Sequence, residues 1–315
     1  VELDDASLAA LERRDEAAAA VAAIEEETRA RLSGVVGASA APLRAAAEML
    51  GDVDVMVAAA RFTRIHECTV ARIVPEASLA FEGGRFLPLA ADLGAEGRVF
   101  TPIDVELRGV AVLTGPNMGG KSVCLRTCGF VALCAAFGLP VPALRAKSGL
   151  FDDIAWLGVG TRDDRPGGLL STFAREVVRL RDVLARGSER VLVLADEFAR
   201  TTTPVEGKAL LVALLRRLRD RGACALAATH LSGVASAAGA RHFAVRGLRG
   251  IPQPPAEGDL HQALARLAAS MDYTIGEVRT DDAATADALA LASLLGLDAE
   301  IVADARRLLG SERAP

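Results

Sequence analysis

Apolar positions change their spacing twice along this chain, and the changes divide it. Up to about residue 75 they follow a helical period, with Val21, Ile24, Thr28, Leu32 and Val35 falling on one face among Ala, Glu and Arg. Pro42 is expected to open a second helix, and "GDVD" at 51–54 to lead into a third. A helical arm for packing or dimerising is the expectation for residues 1–75. Residues 76–107 carry Gly83, Gly84, Pro88, Gly94, Gly97 and Pro102, a turn-rich stretch suited to short strands, and the domain boundary is placed here.

From Arg108 onward short apolar runs alternate with helical periodicity. "GVAVLTG" at 109–115, "RVLVLADE" at 190–197 and "ACALAATH" at 223–230 have strand length and end on polar residues. Between them, one helix carries Phe173, Val177, Leu180 and Leu184 on a face, and another carries Leu210, Leu211, Leu214, Leu215 and Leu218. Buried strands alternating with helices predict an α/β fold with a mostly parallel sheet covered on both faces. Ligands of such sheets bind at the carboxyl ends of the strands, where all three polar strand ends fall. A Pro-rich loop beginning at Arg249, a short helix, a strand "MDYTIGEV" at 271–278 and two helices broken near Gly296 complete the chain.

Composition narrows the function classes. A 51% hydrophobic content over 315 residues fills a large core plus a smaller unit. The net charge of −5 provides no global positive field for nucleic acid or an anionic membrane, though it leaves room for a local basic patch. No apolar run reaches the ~18 residues of a membrane helix. The acidic start is unlike a signal peptide. The first residue, Val1, is either an alternative start read literally or a trimmed end, so domains upstream are left open. Five cysteines, odd in number and without a C-x-x-C pair, argue against a disulfide framework or a zinc site and fit a reducing cytoplasm. Cys124 and Cys128, one helical turn apart, are read as helix packing.

The chemistry sits in "TGPNMGGKS". Gly115, Gly120, Lys121 and Ser122 fill G-x-x-x-x-G-K-[ST], a loop whose backbone N–H groups turn inward around phosphate oxygens. Pro116, Asn117, Met118 and Gly119 complete it, and the following helix points its positive end at the same anion. Lys121 is expected to pair with the β and γ phosphates of ATP, and the Ser122 hydroxyl to ligate Mg²⁺. Asp196, at the end of "VLVLADE", is expected to hold the magnesium through its water shell, while Glu197 orients or deprotonates the attacking water. Adjacent strand residues point to opposite sides, so Glu197 reaches the nucleotide only if the strand has ended there. His230, in "ATH", is placed to hydrogen-bond the γ-phosphate or the lytic water; His66, His242 and His261 receive no assignment.

These residues together resemble the MutS-type ATPases. "TGPNMGGKS" shares that family's Asn117-Met118 pair, and "GLPVPA" at 138–143, "STFAREV" at 171–177, "DEFARTT" at 196–202 and "ATH" at 228–230 follow in the family's order. The likeness covers residues 80–310 and is weaker over the first 75, which suggest a remnant of the helical core. It implies a P-loop NTPase domain over residues 76–315 that works as a head-to-tail homodimer with nucleotide between the subunits. Ser171 would then reach the γ-phosphate of the partner's nucleotide, and residues 200–207 would cross the interface. Phe100 matches an adenine-stacking aromatic, with ordinary core packing as the equal alternative.

Departures from the family bear on the biological role. The mismatch reader's F-x-E motif does not occur, and Ala199 and Thr201 stand where repair proteins carry glycines. Wedge readout of DNA needs aromatic and basic residues in a groove-facing element, yet aromatics make up 4%. The form "DEFARTT", "MDYTIGEV" and the short arm are similar to a MutS-like branch associated with reactivating cobalamin-dependent lysine aminomutases. An aminomutase complex is therefore the expected partner. A DNA-binding mismatch repair or recombination ATPase is the alternative, and a structural clamp with negligible hydrolysis the third, which Glu197 and Ser171 argue against.

Overall fold

The structure is a computed structural model that describes residues 4–116, 119–158, 172–185, 187, 190–249, 270–278, 289, 292–293 and 296–311. It forms two compact units, Val1–Arg61 and Phe62–Pro315. One helix, α1 (Asp5–His66), makes up the described part of the first unit from Asp5 onward and runs through Pro42 without a break. The expected three helices are thus one. A proline deletes a single N–H bond, and on a helix with no buried residue water takes up the freed carbonyl, while the Ala-rich sequence on either side sustains the helix. Val21, Ile24, Leu32 and Val35 stand exposed.

In the second unit a six-stranded sheet has the order β10-β9-β4-β8-β7-β6. Its strands are β4 (Val110–Thr114), β6 (Asp153–Gly158), β7 (Val191–Asp196), β8 (Cys224–Ala228), β9 (Arg241–Leu248) and β10 (Met271–Glu277). Only the β9/β10 pair is antiparallel. The expected mixed α/β fold with a mostly parallel sheet is what the chain adopts. β4, β7 and β8 are buried at every position, as strands covered on both faces require. One face carries α3 (Lys121–Ala136), whose Leu125, Cys128 and Val131 join Leu113, Leu194 and Leu226 in a core. The other carries α5 (Pro204–Asp220) and α4 (Thr172–Ala185) over Val112, Val193 and Ala225.

Two side chains expected in these helix faces point outward. Val177 and Leu210 are exposed, and Val183 is buried in α4. Each expected stripe was one residue too wide or misphased, which helical periodicity tolerates because neighbouring positions differ by only 100°.

Residues 76–107 do supply short strands, with one correction. β1 (Arg72–Val74), β2 (Ser78–Gly84), β3 (Ile103–Arg108) and β5 (Arg145–Gly149) form a second sheet of order β1-β5-β2-β3. Leu87–Ala95, however, is a helix, α2, started by Pro88 in its first turn. α6 (Val234–Ala238) and α7 (Ala299–Ser311) complete the elements. The Pro-rich loop, the short helix after it and most of the helix before Gly296 lie outside the described residues.

Candidate functional site

Register brings the polar strand ends together. Leu113 of β4 pairs with Ala228 of β8, and Asp196 of β7 pairs with the same Ala228, so β4, β7 and β8 finish level. The residues that follow, Gly115, Glu197 and Thr229-His230, therefore emerge along one edge.

The turn into α3 depends on Gly120, which caps the helix in the left-handed region at φ 87°. A Cβ there would lie 3.2 Å from the Tyr273 ring. The turn places Lys121 at the first helical position with 6% exposure, its Nζ donating to the carbonyls of Gly115 at 2.8 Å and Pro116 at 3.0 Å. Burial lowers the Lys121 pKa, and the nearby carboxylates of Glu197 and Asp196 act against that. Asn117 and Met118 lie outside the described residues.

Asp196 is 8% exposed, and burial raises its pKa above the ordinary carboxylate value. The Ser122 hydroxyl bonds to it, and Arg126 and Lys121 stand near enough to lower the pKa in turn. β7 ends at Asp196. Glu197 takes φ 53° and Ala199 φ 61°, so the chain turns sharply and Glu197 is freed from strand alternation. Its carboxylate meets the Arg200 guanidinium at 3.3 Å and the His230 Nδ1 at 3.9 Å. His230 itself is more than half exposed. Ser171 lies outside the described residues.

Phe100 lines a cavity of about 590 Å³ with Thr101, Gly119, Gly120, Tyr273 and Ile275, next to the P-loop turn. Phe100 is half-buried at this cavity. Tyr273 had no assigned role from sequence, because nothing local to "MDYTIGEV" signals that β10 returns beside the loop.

Gly158, at the end of β6, is a further residue that the sequence left unmarked. It pairs with Asp196 at φ 117°, and a Cβ there would sit 1.9 Å from the Asp196 carbonyl oxygen. Only glycine permits this approach.

Among the described residues no group of three or more His, Cys, Asp or Glu could hold a metal ion. The Ser122–Asp196 pair instead suits a cation held jointly by protein oxygens, water and a phosphate ligand, the usual habit of Mg²⁺. All five cysteines are free. No helix among the described residues is long and apolar enough to cross a membrane.

A family model, MutS domain V, matches residues 111–311. Among curated proteins, a DNA mismatch repair protein MutS from Rhodopseudomonas palustris is 35% identical over 216 residues, covering 66% of this chain and 24% of the relative. Another from Thermus thermophilus is 39% identical over 207 residues, covering 65% and 24%. An Endonuclease MutS2 from Pelotomaculum thermopropionicum is 33% identical over 230 residues, covering 71% and 28%. The chain spans about a quarter of the length of these relatives.

Proposed function

The chain belongs to the MutS family, and from that premise we propose that it binds ATP and hydrolyses it to ADP and phosphate at the carboxyl edge of its parallel sheet. The observation that carries this reading is the convergence of Lys121, Ser122, Asp196, Glu197 and His230 along one edge, three strands contributing in register. Residues 76–315 are the proposed ATPase domain and residues 1–75 its helical arm.

The backbone N–H groups around Gly119 and Gly120 and the start of α3 receive the phosphates. Lys121 exchanges its two loop carbonyls for phosphate oxygens, an exchange favoured because a buried ammonium gains more from an anion than from amide dipoles. Ser122 and Asp196 would hold Mg²⁺, which neutralises charge on the phosphates when bound. Glu197 accepts the proton of a water that attacks the γ-phosphorus while the bond to the ADP oxygen breaks. His230, beside Glu197, steadies that carboxylate or the water. Phe100 and Tyr273 offer ring faces for the nucleobase. In the proposed head-to-tail homodimer Ser171 reaches the partner's nucleotide.

For the work done with ATP, we infer a protein partner, an aminomutase complex being the first candidate on sequence likeness. The difference in partner affinity between nucleotide states would couple to hydrolysis. A DNA-directed role is the second reading, favoured by the chain's similarity to DNA mismatch repair proteins. The test is the steady-state ATPase rate of the purified chain alone, with duplex or branched DNA, and with a cobalamin-dependent aminomutase. Stimulation by the mutase alone supports the first reading and stimulation by DNA alone the second. Glu197→Gln should retain ATP binding and lose turnover. Unchanged turnover would overturn the hydrolytic assignment.

A further inference from the structure

Two of the three non-glycine residues with positive φ among the described residues, Glu197 and Ala199, lie in the turn that follows β7. L-residues leave this conformation unless their surroundings hold them in it. Within the turn, the Arg200 N–H donates to the Glu197 carbonyl at 3.1 Å. The Thr202 N–H and hydroxyl donate to the Ala199 carbonyl at 3.1 and 2.9 Å. These bonds fasten carbonyl groups and the far side of the turn, and the Glu197 N–H, donating to the Ala228 carbonyl at 3.0 Å, fastens its start to β8. The Ala199 N–H faces inward, on a residue 2% exposed, and donates to Glu176 Oε2 at 3.1 Å from 23 positions earlier in the chain.

Glu176 is itself 9% exposed, on the inner face of α4. A buried carboxyl is costly unless it secures something, and a buried amide without an acceptor is costly too. Each satisfies the other here. Remove the acceptor, and the Ala199 N–H either stays unpaired or rotates to find another partner. Rotation takes Ala199 out of the left-handed region and re-aims the Glu197 side chain two residues away, whose N–H stays on the Ala228 carbonyl.

We propose that Glu176 is a positioning residue for hydrolysis, fixing through the Ala199 N–H the left-handed turn that aims Glu197 along the sheet edge. This rests on the assignment of Glu197 made above. Burial raises the Glu176 pKa and the Ala199 N–H opposes that shift.

The test separates acceptor from charge. Glu176→Gln keeps an acceptor oxygen at the same reach, Glu176→Ala removes it, and Glu176→Asp withdraws it by one methylene with little loss of packing. Turnover and binding of a fluorescent ATP analogue are measured for each, with Glu197→Gln alongside. Expected are kcat losses of about tenfold or more for the Ala and Asp variants, with nucleotide affinity unchanged and E176Q near the parent rate. If E176A does not fold, E176D and E176Q still decide the matter. Parent-like kcat in E176D, or an equal loss in E176Q and E176D, overturns the positioning role. Parent-like turnover in E197Q overturns instead the reading on which it rests.

Discussion

Substituting Gly158 by alanine probes whether backbone contact between β6 and β7 sets the catalytic edge. The added Cβ would lie 1.9 Å from the Asp196 carbonyl oxygen, where contacts below 3.0 Å are essentially never seen. Something must therefore move by roughly 1 Å, since close-packed interiors have no slack to absorb the overlap. The strands must shift against each other, because a Cβ fixed to the backbone meets a backbone carbonyl and neither can rotate away. An L-residue at φ 117° adds its own strain. Together these should destabilise the protein by about 3 kcal/mol or more. A displacement near 1 Å at Asp196 and Glu197 should also cut turnover on the order of a hundredfold. Gly138→Ala is the control. Gly138 has φ 66° with nothing within 4 Å of its would-be Cβ, so it carries backbone strain without a clash. About 1 kcal/mol of stability should be lost there with turnover unchanged. Urea denaturation and steady-state ATPase on both variants read the difference. Folded G158A with parent-like turnover would refute the idea that this close approach places the carboxylates.

Lys121→Ala should weaken ATP binding by at least about tenfold by equilibrium titration, since a desolvated charge-assisted contact is worth more than ~1.4 kcal/mol. Retained affinity would exclude the phosphate role. Asp196→Asn should abolish Mg²⁺-supported turnover yet raise stability at neutral pH by about 1 kcal/mol. The sign follows from burial raising the folded-state pKa: the stability this group contributes is present below its unfolded value and lost as pH rises through the folded one. A lower thermal midpoint for D196N at neutral pH would contradict it. Alkylation of the native protein should reach Cys68 first, the half-buried thiol, and leave the buried Cys124, Cys128 and Cys224 until unfolding. Burial pushes the Cys224 thiol up to about 12, and mass spectrometry of early modification at Cys224 would argue against this core.

What the sequence made legible is local. The P-loop pattern, the Asp196-Glu197 strand end and the alternation of apolar runs with helices each lie within a short window, where chain geometry leaves few alternatives. The assumption that β7 stops at Asp196 likewise matches the structure, with Glu197 already in the left-handed region. The proline at 42 misled because its cost is local, one lost N–H bond and one crowded carbonyl, and the long Ala-rich run on either side of it in α1 outweighs that cost. Tyr273, Gly158 and Glu176 escaped for a different reason. Each matters through a partner far along the chain, 153, 38 and 23 positions away at Gly120, Asp196 and Ala199. Hydrophobic period carries no information about such pairs.

Ala199 joins the two kinds of information. The sequence marks it as an alanine where repair proteins of the family carry glycine, and the structure gives it φ 61°. Glycine would adopt that conformation freely, and alanine needs to be held there. The Glu176 carboxylate on its N–H and the Thr202 N–H and hydroxyl on its carbonyl are the restraints that replace the missing freedom. A turn held by side chains differs physically from one permitted by glycine. It has one preferred shape, and it loosens when either restraint is withdrawn. Movement of α4 relative to β7 would lengthen the Glu176 bond and release Glu197 from its aim, so the carboxylate proposed for hydrolysis is tied to the position of a neighbouring helix.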